Sequence, residues 1–252
     1  MGWCVLFILI GAAAVGNCQN CRGEEPRERA CENVCDFNGN CKIRAALLLP
    51  KNTTYDANLQ VVEPVLELAL QHDSVRDAFP SWLSFEWMTY DVTDCDAAYA
   101  VITAIDAYND CAHVFFGPSC DYALASVARI TKFLGNTGTP LVTTGGFTFD
   151  FVNPKQTCHD EYYMMVRAGP LGFKDLAYFL IDVMRQFQWT RAIILYDTPS
   201  YVNHVGSRGG FLLASTIHQY MTIEGIDVFG REIQNMQSHE DLLIQNVGVN
   251  YA

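Results

Sequence analysis

Apolar residues of this chain form short runs that alternate with amphipathic segments from residue 43 onward. The first run, Ile43 to Leu49, ends at Pro50 and has the length and composition of a buried strand. Residues 57 to 72 then place apolar side chains at helical spacing. Pro64 falls inside this segment, so we expect it to kink the helix or to mark its first turn.

The same alternation continues to residue 144. In the helix predicted at Asp96 to Tyr108, Val101, Ile102 and Ile105 share one face. Further strands are predicted at Leu83 to Tyr90, Ala112 to Phe116 and Leu141 to Thr144, and helices at Asp96 to Tyr108 and Asp121 to Leu134.

After a looser stretch, residues 145 to 158, the pattern starts again. It predicts strands at Tyr162 to Val166, Ala192 to Tyr196 and Val228 to Ile233, and helices at Phe173 to Phe187, Gly210 to Met221 and Ser238 to Val247. Alternating strands and helices build parallel sheets with helices on both faces. The chain is therefore predicted to be an α/β protein with doubly wound parallel sheets in two lobes. The boundaries are residues 43–165 for the first lobe and 166–252 for an incomplete second lobe.

The amino terminus indicates export. Residues 1–15 read MGWCVLFILIGAAAV, an apolar run too short to span a bilayer comfortably. Small residues at its end suit signal-peptidase cleavage after Gly16, although the run lacks a preceding Lys or Arg. The alternative is a signal anchor. Residues 1–16 are read as a signal peptide, and residues 17–42 as a polar, Cys-rich leader.

Export decides how the cysteines are interpreted. Ten are present, and one leaves with the signal peptide. The spacing Cys18-x2-Cys21 and Cys31-x3-Cys35 would also suit zinc, but disulfides are usual in exported chains. The leader cysteines are expected to pair among themselves, and the odd count leaves one free thiol or an interchain bridge. Asn52 opens an Asn-Thr-Thr acceptor sequence for N-glycosylation.

Composition narrows the function classes. The chain has 252 residues, half of them hydrophobic, and a net charge of −12. An acidic chain repels phosphate backbones and attracts basic peptides, so nucleic acid is not an expected partner. The alternative for most of these charges is a solvated acidic surface that aids solubility. The sequence holds no Gly-x-Ser-x-Gly elbow, phosphate-binding Gly-Lys loop or His-Glu-x-x-His motif. We therefore expect no enzyme activity and no metal site in this chain.

Several motifs occur in a characteristic order. Residues 115–144 read FFGPSCDYALASVARITKFLGNTGTPLVTT, and Asp160-Glu161-Tyr162 and Arg167-Ala168-Gly169-Pro170 follow. Residues 188–192 read QWTRA and lead into an apolar strand that ends at Tyr196. In order and spacing this resembles the extracellular region of natriuretic peptide receptors and receptor guanylyl cyclases, from about residue 43 to residue 196.

The resemblance implies a type I periplasmic-binding-protein fold, with no organic cofactor. It implies a disulfide between Cys95 and Cys120. A bridge that closes a loop of this size contributes roughly 3 kcal/mol of stabilisation. The alternative pairs Cys111 with Cys120, but these two residues are not expected to come within bonding distance. The resemblance places a chloride ion on the backbone amides of Ser119 and Cys120, although Ser119 replaces the Gly of the family. The positions that match peptide contacts are Arg129, Glu161 and Tyr196. For these the alternatives are a solvated helix face, a surface ion pair and strand-end packing, respectively.

Residues 203–213 depart from the family. They read NHVGSRGGFLL, without the Cys and bulky side chains that contact hormone in the receptors. A natriuretic peptide of vertebrate type is therefore not the expected ligand.

The resemblance implies an extracellular peptide ligand, a homodimer formed through the first lobe, and a cell-surface parent with an intracellular cyclase. The alternative is a secreted decoy or carrier without a signalling part. With its second lobe incomplete, the chain is expected to fold stably only in its first lobe.

Overall fold

The computed structural model describes residue 21 and residues 34–169, 172–200, 202–233 and 238–248. The predicted signal peptide and most of the leader lie outside these residues. The described chain forms two parallel sheets with helices packed against them. The predicted α/β fold with parallel sheets is confirmed.

The first sheet has five strands in the order β2-β1-β3-β4-β5, all parallel. In this order β1 lies between β2 and β3, and β3 is the central strand, so the chain reverses its direction of growth between β1 and β3. The strands are β1 (Cys41–Leu49), β2 (Leu83–Asp91), β3 (Val114–Phe116), β4 (Leu141–Thr143) and β5 (Met165–Arg167).

Four helices connect these strands: α1 (Leu59–Gln71), α2 (Asp73–Ala78), α3 (Ala97–Asn109) and α4 (Asp121–Thr131). Polar side chains define where two of them begin. The Asn58 side chain accepts the N–H of Val61 in α1, and the Asp96 carboxylate accepts first-turn amides of α3. Pro64 lies within α1, beyond its first turn.

Strand β1 is covered on both faces, which explains its uninterrupted apolar sequence. Ala46 and Leu48 belong to a core that also contains residues of α3 and α4, whereas Leu47 and Leu49 pack with Leu59 of α1 on the opposite face. Successive side chains of a strand point to opposite faces, so a strand covered on both sides is apolar at every position.

Of the three large apolar residues that the sequence places on one face of α3, Val101 is partly buried and packs against the core. Ile102 and Ile105 are 55% and 40% exposed, and the fully buried positions are Ala100, Ala104 and Ala107. These alanines recur at helical spacing and let α3 approach α4 closely. Large apolar side chains on a helix therefore do not by themselves mark its buried positions, because a close helix–helix contact favours small residues over large ones.

The second sheet pairs β6 (Arg191–Tyr196) with β7 (Asp227–Glu232) in parallel. Its core lies between the two long helices and includes Ile181, Met184, Ile217 and Met221. The helices of this part are α5 (Phe173–Gln186), α6 (Val202–Val205), α7 (Gly209–Ile223) and α8 (His239–Leu242), which a π-helical turn follows at Leu243–Val247.

One predicted strand belongs to a different sheet. The segment Tyr162 to Val166 was expected to open the second lobe, but the strand starts at Met165 and pairs with β4, Leu141 opposite Met165. It is therefore the fifth strand of the first sheet. An apolar pattern identifies a strand but does not specify which neighbour it joins.

The leader cysteines do not all pair among themselves, which corrects that prediction. Cys21 bonds to Cys158, 137 residues away, and so ties the leader to the loop before β5. Cys35 bonds to Cys41 within the leader. Cys111 is also disulfide-bonded. Spacing within a leader cannot show that a partner lies in a distant loop of the folded lobe.

Candidate ligand-binding surface

The carboxyl ends of β1 and β3 meet where parallel α/β sheets form their ligand crevices. Strand β3 runs directly into the Gly117-Pro118 turn, from which α4 begins at Asp121. Gly117 has φ of 88°, and a Cβ there would lie 2.5 Å from the carbonyl oxygen of Leu48. Only glycine fits this turn without moving the backbone of β1.

The turns after β3 and β4 interlock. The Thr143 hydroxyl donates to the carbonyl of Pro118 at 2.6 Å and accepts the N–H of Gly145 at 2.9 Å. A Cβ on Gly145 would lie 2.1 Å from the carbonyl oxygen of Ser119. Ser119 itself is buried. The predicted site residue Ser119 is therefore held between two strand ends rather than in a free loop.

Cys120 precedes α4 and is bonded to Cys95, with 5.9 Å between their Cα atoms. The bridge joins the loop after β2 to the turn after β3 and spans the carboxyl end of β1. Both sulfurs lie in residues that are at most 8% exposed. Cys120 makes no side-chain cap to the first turn of α4.

Asp121 was not singled out from the sequence, yet its side chain holds the loop after β4 against the start of α4. Its carboxylate accepts the N–H groups of Gly146 at 2.9 Å, Phe147 at 3.1 and 3.2 Å, and Thr148 at 3.0 Å. Burial raises the pKa of Asp121, against the opposing effect of these amides and of nearby Arg167. The sequence signal is an acidic residue at the start of a helix, followed downstream by a Gly-Gly turn.

The predicted residues Arg129 and Glu161 contact each other. The Nε of Arg129 lies 2.5 Å from a carboxylate oxygen of Glu161, and both side chains are about half exposed (48% and 49%). The Arg129 guanidinium also lies over the ring of Tyr162, 5.3 Å from its centroid. Tyr162 is buried, and burial raises its pKa to about 12.

This pair lies away from the strand-end crevice. Arg129 is eight residues after Asp121, which is about 12 Å along a helix. Glu161 precedes β5 and so lies at the amino end of that strand. The pair forms an exposed patch at the opposite edge of the first sheet.

Tyr196 ends β6, in the second sheet, and its ring packs against Phe211 with 6.2 Å between centroids. Its ring also lies 3.7 Å from where a Cβ on Gly230 would be. Tyr196 thus makes the strand-end packing that was its alternative role, and it belongs to a different sheet from Arg129 and Glu161.

Asn52 lies on an exposed loop between β1 and α1. The Thr54 hydroxyl donates to the Asn52 side-chain oxygen at 3.0 Å, and the Asn52 amide nitrogen donates to Asp94 at 2.8 Å. The acceptor sequence is therefore accessible at the surface.

The described residues contain neither a membrane-spanning helix nor a metal-binding cluster. Within them, no helix combines the length and apolar character needed to cross a bilayer. The same residues contain no cluster of three or more His, Cys, Asp and Glu side chains suited to hold a metal ion.

Curated proteins with similar sequences are natriuretic peptide receptors. Atrial natriuretic peptide receptor 3 of Bos taurus is 24% identical over 213 residues, which is 82% of this chain and 36% of the receptor. Atrial natriuretic peptide receptor 2 of Anguilla japonica is 31% identical over 140 residues, 52% of this chain and 12% of the receptor. The chain thus spans about a third of the receptor 3 sequences that it matches.

Solved structures with the same fold are bacterial binding proteins. A leucine-binding protein from Thermotoga maritima superposes with a TM-score of 0.54 and 13% identity, over 80% of this chain and 52% of that protein. An ABC transporter substrate-binding protein from Desulfitobacterium hafniense, in complex with Leu, gives a TM-score of 0.55 and 17% identity, over 80% of this chain and 53% of that one. These likenesses show the type I periplasmic-binding-protein fold.

A family model described as the receptor family ligand binding region matches residues 61–218, which include β2 to β6 and most of α1 and α7. The match covers more than half of the chain and extends over both sheets. The chain therefore belongs to the ANF receptor family of ligand-binding regions.

Proposed function

We propose that this chain is the extracellular ligand-binding region of a single-pass peptide-hormone receptor whose parent couples to guanylyl cyclase. The observation that carries the proposal is the family match across both sheets, together with the similarity to natriuretic peptide receptors over 213 residues. In this proposal the chain binds ligand, and any cyclase chemistry belongs to another part of the parent protein.

The proposed ligand is a basic peptide. A net charge of −12 favours cationic partners over anionic ones. The proposed contacts are Arg129, Glu161 and Tyr196. The first two lie on one lobe and Tyr196 on the other, so a ligand that touches all three must extend between lobes. That reach suits a peptide better than a small metabolite.

The half-exposed Glu161 carboxylate can accept more hydrogen bonds than the one from Arg129. A Lys or Arg of the ligand can share this carboxylate without displacing Arg129, since an ionised carboxylate accepts several hydrogen bonds. Glu161 is therefore the proposed anchor for a ligand cation.

The first turn of α4 is the proposed chloride site. Helix amino termini favour anions, because their first N–H groups have no partners within the helix. The ion would lie on the amides of Ser119 and Cys120, beside a helix turn to which Cys120 gives no side-chain cap. The side chain of Ser119, in place of a glycine, would have to turn away from the ion.

A homodimer through the first lobe is also proposed. Val61, Val65 and Leu68 of α1 are 53%, 59% and 67% exposed. Their spacing of four and three residues aligns them in one apolar stripe. A second copy of the same stripe would bury these side chains in a twofold interface.

The proposed location is the secretory pathway, and the outer face of the cell surface for the parent protein. Three disulfides between described residues, and the exposed sequon at Asn52, are consistent with that route. Treatment of secreted material with an N-glycosidase should reduce its mass, and Asn52→Gln should abolish that shift.

The experiment for the proposed function is a binding screen. Purified full chain on a sensor surface would be exposed to a panel of basic peptides, with atrial natriuretic peptide as reference, and to acidic peptides of equal length. The proposal expects saturable binding of at least one basic peptide. Binding of none of them, or equal binding of basic and acidic peptides, would contradict it.

A further inference from the structure

A segment of the second lobe reaches the first lobe beside the strand-end crevice. We call residues 202–208 the docking segment; they comprise α6 and the turn that follows it. The carbonyl of Asn203 accepts the backbone N–H of Asp56 at 3.0 Å. The imidazole of His204 pairs with the Asp56 carboxylate. Asp56 follows β1, so both contacts are made beyond the carboxyl end of that strand.

The middle of the docking segment lies on the Cys95–Cys120 disulfide. Gly206 is buried and has φ of 88°. A Cβ on Gly206 would lie 3.3 Å from the Cβ of Cys120 and 3.9 Å from the Cβ of Cys95. The neighbouring Val205 is 6% exposed. Glycine thus allows the segment to approach the bridge more closely than any other residue would.

The end of the docking segment contacts the start of α4. The guanidinium of Arg208 donates to the Tyr122 hydroxyl at 3.3 Å and lies over its ring, 5.3 Å from the centroid. Just beyond, Gly210 donates its N–H to the carbonyl of Thr198. A Cβ there would lie 1.8 Å from the carbonyl oxygen of Asp197. The segment is thereby fixed to its own lobe while it contacts the other.

These contacts account for two of the three glycines in the segment that departs from the receptor pattern, Gly206 and Gly210. The sequence alone indicated lost ligand contacts at residues 203–213. In the structure, Gly206 permits an approach to the first-lobe disulfide, and Gly210 permits an approach to the loop after β6. The residues make contacts within the protein in place of bulky side chains aimed at a ligand.

We propose that the docking segment is a built-in cover for the first-lobe crevice. Parallel α/β sheets bind small ligands outside the carboxyl ends of their strands, at the point where strand order reverses. Here the segment rests on the disulfide at that point. A ligand can enter the crevice only after the segment leaves, and the two lobes separate on this side only when it is released. This inference does not depend on the identity of the receptor ligand.

The reduction rate of the Cys95–Cys120 disulfide tests the proposal in the full chain. Dithiothreitol breaks the S–S bond, its two thiols become a cyclic disulfide, and the two cysteines take up the electrons and protons. If the docking segment shields this bridge, Gly206→Leu should speed its reduction about tenfold, which corresponds to about 1.4 kcal/mol of lost protection. Quenched alkylation and peptide mapping would follow the two cysteines separately from the other bridges.

Gly225→Leu is the matched control. Gly225 also has positive φ, at 77°, but no atom lies within 4 Å of its added Cβ. This variant therefore carries the backbone strain without displacing the docking segment, and its reduction rate should equal that of wild type. Equal rates in wild type and Gly206→Leu, or equal acceleration in both variants, would overturn the proposal.

Arg208→Ala keeps the test decisive if Gly206→Leu does not fold. Arg208 is exposed and contacts Tyr122 of the other lobe. Its truncation should speed reduction of the Cys95–Cys120 bridge severalfold and leave the Cys35–Cys41 bridge unaffected. An unchanged rate for Cys95–Cys120 would contradict the cover.

Discussion

At the residue scale, the strand ends depend on glycines and one carboxylate that the sequence reveals only in part. A Gly-Pro turn before a helix is readable as a turn. The sequence could not show that Gly117 lies against the backbone of β1, or that Asp121 binds a loop 25 residues further on. Both facts depend on which strands become neighbours, and that is a property of the whole sheet.

Gly117→Ala should be strongly destabilising. The residue has φ of 88°, and the added Cβ would meet the carbonyl of Leu48 at 2.5 Å. We expect a loss of about 2–4 kcal/mol in the free energy of unfolding, measured by urea titration. Gly225→Ala, also at positive φ but in open space, should cost only about 1 kcal/mol. Equal losses would mean that strain, and not the contact with β1, sets the cost.

Asp121 should leave a signature in the pH dependence of stability. Its folded-state pKa is raised, so the folded state holds the proton more tightly than the unfolded state. Stability from this group is therefore greatest below the ordinary carboxyl pKa of about 4 and falls as pH rises through the raised value. Asp121→Asn removes this titration.

The free-energy difference between Asp121→Asn and wild type should thus shift in favour of the variant as pH rises from about 3.5 to about 7. Urea unfolding across that range measures the difference. A shift in favour of wild type would mean that the amides of residues 146–148 lower the pKa more than burial raises it.

At the scale of elements, the hydrophobic pattern predicted where strands and long helices occur. It did not predict which elements pair or pack with each other. The apolar run of β1 identified a strand covered on both faces. The pattern misassigned β5 to the second lobe, and it did not identify the alanines as the buried positions of α3. Large side chains on α3 are exposed, because its contact with α4 is made through alanines.

The two faces of α3 can be compared directly by one substitution on each. Ala104→Leu adds volume to a fully buried position and should cost about 1–3 kcal/mol in the free energy of unfolding. Ile102→Ala removes a 55% exposed side chain and should change stability by about 0.5 kcal/mol or less. Thermal or urea unfolding of both variants shows which face of α3 contributes more to stability. A larger cost for Ile102→Ala would contradict the burial of the alanine face.

At the scale of the molecule, the family and its fold could be predicted from the order of several weak motifs. The site could be predicted only in part. Arg129 and Glu161 do come together, but as partners of each other, and Tyr196 lies on the other sheet. A linear resemblance gives positions along the chain, and it does not determine which side chains already have partners inside the protein.

The proposed dimer predicts that charge on α1 blocks association. Leu68→Glu places a carboxylate in the apolar stripe and should shift the full chain from dimer to monomer in analytical ultracentrifugation. Ile223→Glu is the control, since Ile223 is similarly exposed, 65% against 67%, but lies in the second lobe. A wild-type monomer at micromolar concentration, or a dimer that survives Leu68→Glu, would argue against this interface.

The most direct measurement of the central claim is the affinity of the full chain for its best basic peptide, with Glu161→Ala compared against Glu224→Ala. Glu224 forms a similar ion pair with Arg185 in the second lobe. If Glu161 anchors a ligand cation, its loss should weaken binding by about 1–3 kcal/mol, and Glu224→Ala should leave binding unchanged. Equal affinity for wild type and Glu161→Ala, in protein that still folds, would contradict a peptide site at the Arg129–Glu161 patch.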